Sequence, residues 1–248
     1  IAARIGTRPD VTTIFTRARR FLEGLAEEPG RRYARWLCHF HGERKTELCT
    51  PAFLAASGGV DELAALLTAY RQSDAPDFGD TTLGVDAALY LPDDLLVKVD
   101  IASMANSLEA RSPFLDHQFM EFVATIPFEF KVRGYTKKYI LKRALQGLLP
   151  EGILHRPKKG FAVPIGRWLR HELKDLVHDT LLNPRCLGRG YFHKEKVRRM
   201  VDEHVRGITG WHYHLWTLLM LELWHRTYID GDGELSRRRR LSAAAVSH

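Results

Sequence analysis

The chain is 248 residues long and 45% apolar, enough to bury a sizeable core in what reads by default as one domain. Its formal charge of +7 is uneven, no run of eighteen apolar residues predicts a membrane span, and the opening IAARIGTRPD has no signal-peptide layout. Cys38, Cys49 and Cys186 form no CxxC pair and cannot all pair with one another, which predicts buried or inert thiols in a reducing, cytoplasmic setting. The chain starts at Ile1 with no Met, so a piece of a longer chain is expected.

In chain order the pattern is mostly helical. Asp10 is placed to cap a helix over 11–27, which Pro29 and Gly30 would stop. Helices over 31–41 and 43–49 follow, the first with Arg31, Arg32 and Arg35 among Tyr33 and Trp36 as a half-buried face with snorkelling arginines. Pro51 opens a short helical turn to Ala56, Asp61 caps a helix over 62–72, and 73–80 reads as a loop. After the central stretch, Asp116 caps a helix over 117–126 that Pro127 closes. The only plausible strand is 128–132. Thr136 caps a helix over 137–148, closed by Pro150; Pro164 opens a region that becomes helical over 168–182; 183–191 is loop; 193–206 and 211–228 are the last helices. Residues 231–248, with the basic run Arg237 to Arg240, read as a disordered, solvated tail. The domain division is therefore 1–230 and 231–248.

The central stretch is 89–116, LYLPDDLLVKVDIASMANSLEARSPFLD. Its acids are Asp93, Asp94, Asp100, Glu109 and Asp116; its bases are Lys98 and Arg111. Over 93–108 the pattern is helical, with Leu96, Val99, Ser103 and Asn106 on one face. Pro92 suits a first helical turn, and the two following acids suit the positive end of a helix. Pro113 ends the pattern, leaving Glu109 and Arg111 near the helix exit, where a partly buried Glu–Arg pair could brace a site wall.

Four stretches, LPDDLLVKVD from Leu91, SMANSLEARSPFLDH from Ser103, TKKYILKRAL from Thr136 and LPEGILHRPKKGF from Leu149, closely resemble in order and spacing the synthetase domain of glutamine-dependent asparagine synthetases. The resemblance implies a mainly α chain, the helical C-terminal part of an α/β ATP-pyrophosphatase (adenine nucleotide α-hydrolase-like) synthetase domain. It also implies the reaction: ATP adenylates the side-chain carboxylate of aspartate, and ammonia from glutamine attacks the acyl-adenylate. Lys158 matches the lysine linked to stabilising charge in adenylation, with Lys159 its solvated neighbour. Arg156 is placed to hold that loop or to contact phosphate, and either Asp93 or Asp94 to take the amine proton or bind ammonium. Asp100, Glu109 and Arg111 are expected at the substrate and nucleotide wall, as contacts or as structural groups. Mg²⁺ would ride on ATP, and both would be held mainly by parts absent from this chain. Aspartate, ATP and ammonia are the expected small-molecule partners, with an N-terminal glutaminase domain in the parent chain; a homodimer stays open, and nucleic acid and membrane are disfavoured. A related amide-forming cyclase, of β-lactam synthetase or lasso-peptide cyclase type, and a degenerate helical binding protein are the alternatives.

Two features invite other readings. Ser57-Gly58-Gly59-Val60-Asp61 imitates a pyrophosphate loop, but its lead-in TPAFLAA reads as helix and Glu62 stands where a Ser is needed. A plain helix–loop–helix is expected there. His212 and His214 are two apart and point to different helix faces, so the series Trp211 to His225 reads as packing, with no metal.

Overall fold

The computed structural model describes residues 22, 24, 27–157 and 163–231. The expected helix over 11–27, the loop residues Lys158 and Lys159, and the tail beyond Gly231 lie outside the described residues, apart from a few positions. The described chain is mostly helical, as expected for a mainly α protein. Its described residues form two compact units, one comprising those up to 28 with 35–63 and 163–231, the other 29–34 and 64–157.

In the first unit the His212–Trp224 helix is the central member. It buries Leu215, Leu218, Leu219 and Glu222, one stripe at helical spacing. The Lys194–Val205 helix buries Val197, Met200, Val201 and His204 by the same rule. Leu169, Val177 and Leu181 complete a close-packed core with these residues. The expected helix over 168–182 is in fact two, Ile165–Trp168 and Lys174–Leu181, joined by tight turns. The expected loop over 183–191 holds a short helix, Pro184–Gly188, because Asn183 accepts a hydrogen bond from the Arg185 amide at 2.9 Å and Pro184 suits the first turn. Backbone bonds from Thr50 to Tyr191, 2.9 Å, and from His193 to Leu48, 2.8 Å, tie the Glu43–Leu48 and Pro51–Ala56 helices to this core.

The second unit contains the central stretch and departs more from expectation. Pro29 and Gly30 begin a helix, Pro29–Leu37, since Pro at the first position loses no helical hydrogen bond; the helix expected before them lies mostly outside the described residues. A Cβ on Gly30 would lie 2.9 Å from the Tyr70 ring, so only glycine lets these segments meet. Residues 62 and 63 form a turn rather than the helix start expected there, with the Asp61 carboxylate accepting from the Leu63 amide at 3.0 Å, and the helix proper is Ala64–Gln72. The expected loop over 73–80 ends early, because the Asp77 carboxylate accepts from the Asp80 amide at 2.9 Å and caps Phe78–Val85.

From there the helix runs on without a break. Asp86–Leu96 is a π-helix, and Val97–Met104 returns to α. Pro92 therefore sits inside a helix rather than in a first turn. A proline in an α-helix lacks its amide donor and clashes one turn back; the wider π winding accommodates both defects. Asp93 and Asp94 are mid-helix in consequence, and the positive helix end does not explain them. The helix stops at Met104, and Ser107 has a left-handed backbone with φ 56.

Further on, Asp116 caps His117–Thr125 as expected, accepting from the Phe119 amide at 3.0 Å. The expected strand over 128–132 is instead a helical turn, Phe128–Lys131, leading into a two-residue strand. Val132–Arg133 pairs antiparallel with Thr136–Lys137 across Gly134 and Tyr135. Thr136 is thus in a hairpin and caps nothing; the next helix is only Tyr139–Ala144, entered through Lys138 in the left-handed region.

Candidate functional site

A row of oxygen-bearing side chains runs along the π-helix. Asp86, Tyr90 and Asp94 recur every fourth residue, and Tyr33, in the same unit, donates its hydroxyl to the Asp86 carboxylate. Burial, reinforced by Asp86, holds the Tyr33 phenol well above its ordinary range. Burial and then the Asp94 charge raise the Tyr90 phenol, whose hydroxyl bonds to Asp94. The arrangement offers carboxylates held in place by protonated phenols, a set able to accept a proton or bind a cation. Tyr33, Asp86 and Tyr90 were missed from the sequence; the fourfold spacing of Asp86, Tyr90 and Asp94 was the available signal.

Asp93 and Asp94 are both exposed, as is Asp100 in the first turn of Val97–Met104. Glu109 and Arg111 do pair, at 2.9 Å, but with 69% and 84% of their side chains exposed. The expectation of a partly buried brace is therefore corrected: the chain leaves the helix at Met104, and both residues lie on an open segment. Arg156 is exposed just after Glu151–Leu154. Among the described residues no hydrogen bond or ion pair joins Asp94 to Asp100, Glu109, Arg111 or Arg156, and Lys158 lies outside them.

The imitation phosphate loop is a helix–turn–helix. It follows Pro51–Ala56, its glycines have φ 65 and 68, and it presents no strand. Glu62, where a serine would be needed, accepts from Lys45 at 2.8 Å and from the Gly42 amide at 2.9 Å. Among the described residues no group of three or more His, Cys, Asp or Glu could hold a metal ion. His214 lies edge-on to Phe40, with ring centroids 4.8 Å apart, and to Trp211 at 5.1 Å, in the manner of a core residue. The three cysteines are free. Burial pushes the Cys38 and Cys49 thiols up, and burial with the Glu222 charge pushes Cys186 up to about 12, so none is poised as a nucleophile.

The family model for asparagine synthase matches residues 9–226, which spans both units and the row on the π-helix. The chain belongs to the asparagine synthase family. It is 36% identical over 146 residues to asparagine synthetase [glutamine-hydrolyzing] 1 of Bacillus subtilis, covering 59% of this chain and 23% of that protein. It is 40% identical over 148 residues to a putative asparagine synthetase [glutamine-hydrolyzing] of Mycobacterium tuberculosis, covering 59% of this chain and 22% of that one. The Gallus gallus asparagine synthetase [glutamine-hydrolyzing] is 28% identical over 178 residues, 64% of this chain and 31% of the relative. The chain thus spans less than a quarter of the bacterial relatives named. No solved structure matches it.

Proposed function

We propose that this chain is the helical C-terminal part, residues 1–230, of the ATP-pyrophosphatase-type synthetase domain of a cytoplasmic, glutamine-hydrolysing asparagine synthetase, with 231–248 a basic tail. The observation that carries the reading is the family match over 9–226, together with the four ordered motifs from Leu91 to Phe161. The complete protein joins ammonia to aspartate. A carboxylate oxygen of the aspartate side chain attacks the α-phosphorus of ATP, and pyrophosphate leaves. Ammonia then attacks the acyl carbon, AMP leaves, and one proton must be taken from the nitrogen.

This chain supplies groups to both steps. Lys158 stabilises the negative charge that builds between carboxylate and α-phosphate. Asp94, steadied by the Tyr90 hydroxyl, takes the proton or binds ammonium on entry, with Asp93 beside it. Glu109, Arg111, Asp100 and Arg156 lie on the open surface that meets substrate and nucleotide once the remainder of the domain is in place. ATP and its Mg²⁺ are held mainly by that remainder, and the glutaminase domain delivers the ammonia.

The test is aspartate-dependent release of pyrophosphate by the complete protein, given ATP, Mg²⁺ and ammonia. The expected result is one pyrophosphate and one AMP per asparagine formed. Pyrophosphate released equally without aspartate, but in response to another carboxylate, would move the protein to a different acceptor.

A further inference from the structure

The last long helix of the first unit is apolar on its outer face as well as its inner one. Its exposed positions are Tyr213, Thr217, Met220, Trp224 and Tyr228, with Ile229 beside the last. They recur at spacings of four, three, four and four, so they form one stripe opposite the buried Leu215, Leu218, Leu219 and Glu222. The π-helix His225–Ile229 continues the His212–Trp224 helix, and the Trp224 and Tyr228 rings lie 6.0 Å apart, so the stripe runs on across the junction. Its four large side chains, Tyr213, Met220, Trp224 and Tyr228, are between 38% and 61% exposed. No Asp, Glu, Lys or Arg occurs from Gly207 to Leu221. Of the two that follow before Tyr228, Glu222 is buried and Arg226 donates to it at 2.9 Å. The Lys194–Val205 helix of the same unit shows the ordinary solvent face: its exposed positions are Lys194, Glu195, Arg198, Arg199 and Asp202, every one charged.

The stripe is arranged to meet a copy of itself. Tyr213 and Tyr228 are equidistant from a point between Met220 and Leu221, and so are Thr217 and Trp224. A second helix laid antiparallel about a two-fold axis at that point sets Tyr213 against the partner's Tyr228 and Thr217 against the partner's Trp224. Small meets large at the second pair, and the two tyrosines make an aromatic pair at each end. Met220 falls at the axis, where its flexible thioether can fill irregular space. The Thr217 hydroxyl is already satisfied, donating to the Tyr213 carbonyl at 2.9 Å. Area favours the same occupant. Half-exposed aromatics of roughly 150–250 Å² each, with Met220 and Ile229, give about 500 Å² per copy. The pair then buries about 1,000 Å², the lower bound of a specific interface. With no charge on the stripe, identical faces meet without like-charge repulsion.

We propose that two copies of the protein pair through this stripe, residues 213–229, as antiparallel helices about a two-fold axis beside Met220. The contact runs about 22 Å at 1.5 Å per residue, and a small crossing angle keeps the end tyrosines in register. The surface is independent of the asparagine reading above, since no residue assigned to that chemistry lies on it.

The experiment is cross-linking of the complete protein with a short bis-maleimide, read as covalent dimer, with the unsubstituted protein as background. Met220→Cys should give roughly tenfold more dimer than Leu176→Cys, another exposed position of the same unit. Thr217→Glu and Trp224→Lys, each added to Met220→Cys, should lower the yield roughly fivefold by placing a charge in the contact. The two together should recover about half of it, because the positions meet only across the axis and lie two turns apart within one chain. All four positions are exposed, and circular dichroism establishes that each variant is folded. The proposal is overturned if Met220→Cys and Leu176→Cys cross-link equally, as they would where copies meet through another face. It is overturned if the paired substitutions recover nothing. It is also overturned if a single-headed maleimide cannot label Met220→Cys, which would show the stripe covered by another part of the complete chain.

Discussion

At the residue scale, Lys158 carries the most specific prediction. If it stabilises charge only as the acyl-adenylate forms, Lys158→Ala in the complete protein should lower kcat about 10² to 10³ fold and leave ATP affinity nearly unchanged. Lys159→Ala should be nearly silent. Pyrophosphate release with saturating aspartate, ATP and ammonia reads both, and a reversed result would shift the role by one residue. His214 carries a second. Burial, helped by the Arg44 charge, pushes its imidazole down to about 4. The unfolded chain binds that proton near pH 6.5, so the unfolded state holds more protons between the two values and stability falls as pH drops from about 6.5 towards 4. His214→Leu should therefore shrink the difference in Tm between pH 7 and pH 5; an unchanged difference would assign the pH dependence elsewhere.

At the scale of elements, the last helix is pinned electrostatically. Glu222, whose side chain is 2% exposed, accepts from Arg189 at 2.6 and 3.1 Å and from Arg226 at 2.9 Å, while Arg185 and Arg189 hold Asp230. Burial would raise the Glu222 carboxyl, but the two arginines outweigh it and hold it below the usual range. Its contribution is thus present above the unfolded glutamate value near pH 4.3 and is lost as pH falls through the lower folded one. Glu222→Gln leaves two partly buried cations short of a counter-charge and should cost about 3 kcal/mol in urea unfolding at pH 7. The penalty should shrink below about pH 4. The Ser57–Asp61 turn gives the opposite pattern. Replacing Gly58 and Gly59 by Ala forces side chains into left-handed backbone and should cost roughly 1–2 kcal/mol each, yet change ATP affinity of the complete protein by less than about threefold. A larger loss of affinity would restore the loop as a phosphate site.

At the scale of the molecule, the two units differ in how much core they hold. Among the described residues, sixteen apolar ones are buried, and of these Ala34, Val85 and Leu154 belong to the unit that contains the central stretch. That unit instead exposes Ile101 at 64%, Leu108 at 63%, Phe122 at 62% and Leu148 at 75%. Such a surface is the mark of an interface left uncovered, and under the proposed function the rest of the synthetase domain covers it. The isolated chain should therefore self-associate, bind a hydrophobic dye and melt broadly. A monomer by light scattering, with a sharp melt and no dye binding, would contradict this.

The sequence by itself determined the family, the helical character, the capping of His117–Thr125 by Asp116 and the helical lead-in to the Ser57–Asp61 turn, because each rests on short-range chemistry or on an ordered motif. It also determined that the last two helices bury one face each, since spacing of three and four is a local property. Only the tertiary structure decided the rest. Pro92 read locally as a helix start, yet the helix begun at Phe78 runs on and the wider π winding carries it through the proline. The Thr136 hydroxyl read as a cap, yet pairing with Arg133 across the hairpin claims its backbone. The alliance of Tyr33 with Asp86 joins residues 53 apart, and no local pattern encodes such a contact. Glu109 and Arg111 sit two apart and were always able to pair; whether that pair is buried depends on what covers it, and in this chain both side chains are open to water.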